Sequence, residues 1–490
     1  MIWNELKKLA SHSAIYGVAD VIPYFVNFLL LPVFTAYLGP NEYGALGILL
    51  LFGVLTKIFF RLGLDAGFFR VYYEQTTERD RKLLATTLFL FSLATSLVLF
   101  IAASAAARPI SRALLGESAV SAWIVLVALD TLLNTFAFVP INLFRIEGRP
   151  RAFTLVTLVR STLSIGLKLA LVVGGFGVSG VLWADVLSSA AFVAVLSPTL
   201  ARNLTVGWSW PLLKQAAAFG LPKVPHGLAH QVLNLSDRKL LEVFASLSAS
   251  GLYHVGYMLG TGVKFFLAAF ELAWGPFVYA QLAKPDAPRI LGRIATYPFA
   301  ALVGFGLVNA IFGRELLFLM AEPRFHDAHS VVPVVVLAYV LQGVFALTSI
   351  GIGISKNTRV LPAITFGAAS VNVILNILWI PRLGILGAAW ATVAGYFFMA
   401  LLGFYFGNRF YPIPFELGRL TKVGAAAGVA FWISLAAPAD WTRALLVKGA
   451  AVLAFPLLLY AVGFFRPDEL AVVRTKLLGR CERYFLSARH

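Results

Sequence analysis

The sequence predicts an all-α polytopic membrane protein of about fourteen transmembrane helices, built as two parallel six-helix repeats plus two C-terminal helices. Three observations predict it. The 490-residue chain is 59% apolar and only 13% charged, against about 25% charged in soluble domains, and its mean hydropathy is +0.83. Apolar runs long enough to cross hydrocarbon recur along nearly the whole length. Two distant segments also read alike, Gly177-Val-Ser-Gly-Val-Leu-Trp-Ala-Asp-Val and Gly384-Ile-Leu-Gly-Ala-Ala-Trp-Ala-Thr-Val.

Spans are expected at 13–36, 44–67, 84–107, 120–143, 153–174, 178–200, 214–236, 250–275, 294–313, 331–354, 361–380, 384–407, 420–437 and 445–465. Lys7 and Lys8 precede the first, which has no small-residue cleavage site at its end and is expected to stay as a helix. Gly304, Gly306, Gly313 and Arg314 interrupt the ninth, and an interfacial turn is expected over 315–328. The offset between Gly177 and Gly384 also pairs Arg149 with Lys356 and Gly44 with Gly251. A repeat with an even number of spans keeps its orientation, so the halves are expected at 1–205 and 206–410, related by an axis along the membrane normal. Two further helices occupy 411–466, and 467–490 is a basic tail.

Loop charge orients the chain. Lys7, Lys8, Arg79, Arg81, Lys82, Arg149 and Arg151, with the tail, fall on one side, while the other side holds few cations, among them Arg238, Lys239 and Arg324. This positive-inside pattern puts both termini in the cytoplasm. The net charge of +17 is then topology and contact with anionic phospholipids. Nucleic acid is not expected as a partner, because the cations are scattered over many short loops. The single cysteine, Cys481, allows no disulfide framework. No nucleotide-binding glycine loop, metalloprotease helix or nucleophile elbow occurs, so neither catalysis nor a cofactor is expected.

The densest motif runs from Val371 to Thr392. Asn372 and Asn376 stand four apart in an apolar helix, Pro381, Arg382 and Gly384 break it, and Gly387, Ala388, Ala389, Ala391 and Thr392 open the next. Small residues and amides of this kind let membrane helices approach and hydrogen-bond. The segment resembles the oligosaccharidyl-lipid flippases of the multidrug/oligosaccharidyl-lipid/polysaccharide exporter (MOP) superfamily. So do Leu38-Gly-Pro-Asn-Glu-Tyr-Gly44, Leu62-Gly-Leu-Asp65 through Tyr72, Gly220-Leu-Pro222 with Ser236-Asp-Arg238 and Gly251-Leu-Tyr253, and Val332 through Gly343. The resemblance implies a V-shaped twelve-helix core with two extra helices. It also implies alternating-access flipping of undecaprenyl-linked sugars across a bacterial inner membrane, for lipopolysaccharide or exopolysaccharide synthesis. The expected partners are the lipid-linked oligosaccharide and the polymerase and glycosyltransferases of its pathway.

Charged residues inside a bilayer are costly and mark functional candidates. Arg160 and Lys168, eight apart, share a helix face, and Lys57, Arg61, Lys223 and Lys264 lie in other spans. Arg160, Lys168, Lys223, Lys264 and Arg61 are the candidates for a cationic cavity holding a lipid diphosphate; the competing reading is snorkelling to an interface. Asp20, Asp130 and Glu271 are candidates for a coupling ion and, with Asp185, are equally read as ion-pair partners of the cations. Pro23, Pro222 and Pro225 are candidate kinks or hinges, and Asn372 with Asn376 is read as interhelical glue. His226 and His230, four apart, have no further ligands in sequence, so no metal site is expected. The rival readings are a cation-coupled drug antiporter and a lipid II flippase of the same superfamily. A polysaccharide polymerase or ligase would carry a long external loop that this sequence lacks.

Overall fold

The computed structural model describes residues 28–116, 120–282, 284–438 and 440–467. Asp20, Pro23 and the basic tail lie outside the described residues. What is described is α-helical and contains no strand. The helices are α1 (Leu31–Tyr37), α2 (Pro40–Arg61), α3 (Leu64–Glu74), α4 (Glu78–Ala105), α5 (Ala107–Leu115), α6 (Ser121–Phe136), α7 (Phe138–Ile146), α8 (Pro150–Val173), α9 (Gly177–Arg202), α10 (Trp210–Gly220), α11 (Lys223–Phe244) and α12 (Leu247–Gly260). They continue with α13 (Val263–Gln281), α14 (Ala287–Met320), α15 (Val331–Thr348), α16 (Ile350–Ile354), α17 (Val360–Phe410), α18 (Leu417–Ser434) and α19 (Trp441–Ala461). Among the described residues eight helical segments are long and apolar enough to cross a membrane, and nine if the bent pair α6–α7 is one span. The protein is thus an all-α polytopic membrane protein.

Local chemistry sets the helix starts. Thr77, Ser209, Ser246 and Asp440 each accept a backbone N–H of the first turn, the arrangement that satisfies an otherwise orphaned donor. Pro40 and Pro150 begin α2 and α8, where a missing N–H costs nothing. The break between α2 and α3 falls on Leu62 and Gly63, both left-handed. Pro222 stands as the N-cap residue between α10 and α11, and Pro225 lies in the first turn of α11.

In α17, 51 residues are helical apart from Gly384, whose φ of 55° and ψ of −131° reverse the chain. A Cβ on Gly387 would meet the Trp379 carbonyl, one on Gly395 would meet Asn372 and Ala368, and one on Gly367 would meet Phe398. Each step back along the first arm meets a step forward along the second, so α17 is an antiparallel hairpin.

Two compact units form. The first comprises, among the described residues, those up to Ala280 and Gly313–Pro412. Within it α2 crosses α12 with backbones in contact: a Cβ on Gly44 would lie 2.0 Å from the Leu247 carbonyl oxygen, and one on Gly251 only 1.8 Å from that of Pro40. At the other end of the same broken helix, a Cβ on Gly63 would lie 2.2 Å from the Gly220 oxygen and one on Gly67 2.3 Å from that of Ala216. Arg324, within the 3₁₀ turn Pro323–Ser330, donates to Thr35 O at 2.6 Å and Ala36 O at 3.1 Å, a cation on the last carbonyls of α1. Lys239 does the same for Leu114 O at the end of α5.

The second unit comprises, among the described residues, Gln281–Phe312 and those from Ile413 onward. There α18 packs on α19. Glu416 accepts from Arg419 at 2.7 Å and from Thr296 at 3.2 Å, and is also reached by Arg466.

Three expectations about boundaries are corrected. The ninth segment is not weakened at its glycines: α14 runs unbroken to Met320, because Gly304 receives Phe455 and Gly313 receives Val332 as packing surfaces. The eighth is not one helix but breaks between α12 and α13. Asp237, Arg238 and Lys239 are not in an external loop. α11 continues to Phe244, and Asp237 and Arg238 are buried at 1% and 2% exposure.

Candidate functional site

Charged side chains converge inside the first half of the chain. Arg160, on α8, donates to Ser189 Oγ at 2.9 Å and lies 4.8 Å from the Phe192 ring centre. Ser189, on α9, donates in turn to Asp130 Oδ1 at 2.5 Å and accepts from Asn134 at 3.2 Å, both on α6. Two turns along α8, Lys168 pairs with Asp185 at 2.8 Å, and Ser164 donates to the same carboxylate. Arg61, at the end of α2, pairs with Asp65 at 3.3 Å, while Asn142 donates to Asp65 at 3.0 Å. Lys57, one turn before Arg61, is within electrostatic reach of Arg61, Arg160, Asp65 and Asp130. Its side chain is exposed, and no ion pair involving it occurs among the described residues. Asp185 is likewise within reach of Arg160 and Asp130. Five helices, α2, α3, α6, α8 and α9, thereby assemble Lys57, Arg61, Arg160 and Lys168 with Asp65, Asp130 and Asp185. Buried charges persist in apolar surroundings when paired and hydrogen-bonded in this way.

The other candidate cations lie elsewhere. Lys264, on α13, places its ammonium 4.6 Å from the centre of the Tyr339 ring and is within reach of Glu271, which is exposed. Lys223 is exposed at the start of α11, over Phe219 at 4.3 Å. His230 Nδ1 lies 3.3 Å from the Asn234 amide. Among the described residues no group of three or more metal-ligating side chains comes together.

Sequence reasoning missed a second polar network, centred on Asp237 and Arg238 of α11. Arg238 donates to Asp237 at 2.8 Å, to Asn234 O at 2.9 Å and to His254 at 3.2 Å, and its guanidinium lies 4.5 Å from the Tyr257 ring centre. Tyr253 donates to Asp237 at 2.5 Å, Tyr257 and Tyr339 share a hydrogen bond of 2.7 Å, and Tyr396 donates to Asn234 at 2.7 Å. Asn376 donates to Asn372 at 3.1 Å, and Asn372 to Thr392 at 3.4 Å across the α17 hairpin. Thr392 stands 3.5 Å from Tyr253. Both asparagines are fully buried. The available signal was Tyr253 and Tyr257 four apart, facing an adjacent Asp–Arg pair.

Comparisons with known proteins follow this geometry. Residues 33–270 match the family described as "Polysaccharide biosynthesis protein". An uncharacterized membrane protein of Methanocaldococcus jannaschii is 22% identical over 227 residues, 44% of this chain, and the match spans under half of that relative's length, 43%. Three solved structures share the fold. The lipid II flippase MurJ in an inward closed conformation has a TM-score of 0.69 at 13% identity, covering 91% of this chain and 99% of that one. An inward-facing multidrug resistance MATE family transporter of the MOP superfamily has a TM-score of 0.63 at 18% identity, covering 84% and 96%. A MOP superfamily transporter from Pyrococcus furiosus, whose binding pocket is described as reversed in polarity, has a TM-score of 0.59 at 17% identity, covering 86% and 96%. The family match over residues 33–270 and the fold shared with these transporters and this flippase agree with the resemblance carried by the motifs.

Proposed function

We propose that this protein is a secondary transporter that flips undecaprenyl-diphosphate-linked oligosaccharide across a bacterial inner membrane for surface polysaccharide synthesis. One observation carries the reading: the first half holds a charge cluster with four cations, Lys57, Arg61, Arg160 and Lys168, against three acids, Asp65, Asp130 and Asp185. An excess of positive charge in an apolar span suits an anionic cargo, whose phosphates would be very costly to carry unpaired through low dielectric. Lys223 and Lys264 offer further cations from the second half, and Asp130 and Glu271 remain the coupling-ion candidates. The name of the matching family and the transporters and flippase among the structural relatives support a non-enzymatic carrier.

The reading includes fourteen spans, two parallel halves at 1–205 and 206–410, and cytoplasmic termini. Two facts support the repeat. Gly177 and Gly384, its matched glycines, have φ of 54° and 55°. Gly44 and Gly251, also matched, touch each other, as residues beside a two-fold axis must.

The test is genetic and biochemical. Arg160→Ala or Lys264→Ala in the native host should abolish surface polysaccharide while membrane expression stays normal, because a lost buried charge contact costs on the order of 2–5 kcal/mol. Normal polysaccharide in both variants would remove the cationic site from the reading. The second reading, a lipid II flippase, is favoured by the fold comparison with MurJ. It predicts lysis on depletion rather than loss of surface polysaccharide.

A further inference from the structure

We propose that Lys57 is the cation that contacts the phosphate of the cargo, and that Arg61, Arg160 and Lys168 instead hold the walls of the site. The inference rests on the lipid-diphosphate reading above and divides the labour within it. Each of the three other cations in the cluster is already compensated. Arg61 has Asp65 at 3.3 Å, Lys168 has Asp185 at 2.8 Å, and Arg160 reaches Asp130 through Ser189, with hydrogen bonds of 2.9 and 2.5 Å. The carboxylates are further fixed by Asn142, Ser164 and Ser189. A cation in such a pair offers little net charge to a ligand. It must give up its carboxylate to take a phosphate, and that exchange strands an acid in low dielectric.

Lys57 differs on three counts. It carries the one charge by which cations outnumber acids in the cluster. It makes no ion pair or hydrogen bond to any described residue. Its side chain is exposed although it stands in α2 between Thr56, which is buried, and the packed end of that helix at Phe60. An ammonium held among two guanidiniums and two carboxylates, with no ion pair or hydrogen bond among the described residues, is a site for an anion from outside the chain. Lys rather than Arg fits a group that is bound and then released, since an ammonium is a point charge with rotatable donors and commits to no forked geometry.

The experiment uses the full chain, purified in detergent, with undecaprenyl diphosphate as the probe and undecaprenol as its uncharged control. Wild type should bind the diphosphate at least tenfold more tightly than the alcohol. Lys57→Met should lose at least tenfold in affinity for the diphosphate with no loss for the alcohol, and Lys57→Arg should stay within threefold of wild type. Lys168→Met alone should weaken binding by disturbing the walls, while Lys168→Met combined with Asp185→Leu should return to within threefold, since the pair leaves together. Thermal unfolding of each variant checks that the fold is kept; Lys57→Met removes a charge from the span and should melt no lower than wild type. Wild-type affinity in Lys57→Met would overturn the assignment while leaving the lipid-diphosphate reading intact. Equal wild-type affinity for the diphosphate and the alcohol would overturn that reading and this one with it. Restoration of Lys57→Met by Asp20→Asn would show that Lys57 serves a carboxylate of this chain, and would also overturn the assignment.

Discussion

At the scale of single residues, the molecule keeps most of its buried charge in closed pairs. Asp237 and Arg238 are the extreme case, almost fully buried and bonded on every side by Tyr253, Asn234 and His254. Removing one partner of such a pair leaves the other unpaired, at a cost of about 3–5 kcal/mol, whereas replacing both by apolar groups is often near neutral. Arg238→Met should therefore lower the SDS-unfolding midpoint sharply, and Asp237→Leu with Arg238→Met should recover most of the loss. A double variant no better than the single one would show that the tyrosine and histidine contacts, rather than the charge, depend on the pair.

Glycine controls packing at the scale of elements, by two separable mechanisms. At Gly44 and Gly251 the limit is space: any Cβ would enter the facing backbone. At Gly384 the limit is conformation: nothing lies within 4 Å of a built Cβ, yet its φ of 55° and ψ of −131° are available only to glycine at low cost. Gly44→Ala should cost about 1–3 kcal/mol by overpacking, and Gly384→Ala about 1–3 kcal/mol by strain. Both should appear as reduced unfolding midpoints. A spectroscopic distance between α2 and α12 should lengthen in the first variant and not in the second.

The element scale also marks the limit of what the sequence conveys. The Asn372–Asn376 pair, the break at Gly384 and the small-residue arm after it were legible because they are local. Span edges were misread where a polar triplet, Ser236-Asp237-Arg238, reads as a loop yet is helical, and at the eighth and ninth segments. The cations of the cluster, with Asp130 and Asp185, were legible one by one, whereas Asp65 was not picked out as an acid of the site. Their pairing was not, because Arg160 meets Ser189 and Asp130, and Lys168 meets Asp185, from different helices. No periodicity within one helix encodes a partner on another. The same holds for Tyr257 with Tyr339 and Tyr396 with Asn234.

At the scale of the whole molecule, orientation is the property to test. Cysteines at Asn41 and Ala249 should react with a membrane-impermeant maleimide from the periplasm, and cysteines at Thr77 and Asn357 only after the membrane is opened. Asn41, Thr77 and Asn357 are exposed and Ala249 is half-buried, so access is expected at all four. Mixed reactivity within either pair would sink the fourteen-span count and the parallel repeat together.

The two glycine contacts made by α2 and α3 stand nineteen residues apart, roughly 28 Å along a helix, close to the thickness of the hydrocarbon layer. At both contacts main chain lies against main chain. Surfaces of that kind have low friction. They can slide or hinge apart at one end while remaining in register at the other, with fewer rotamers to disengage than a fully side-chain-packed crossing has. For a carrier this means that the speed of its cycle would be governed by the charges it must move rather than by steric unlocking. Slow turnover should then respond to cargo charge and membrane voltage more than to side-chain volume at these crossings.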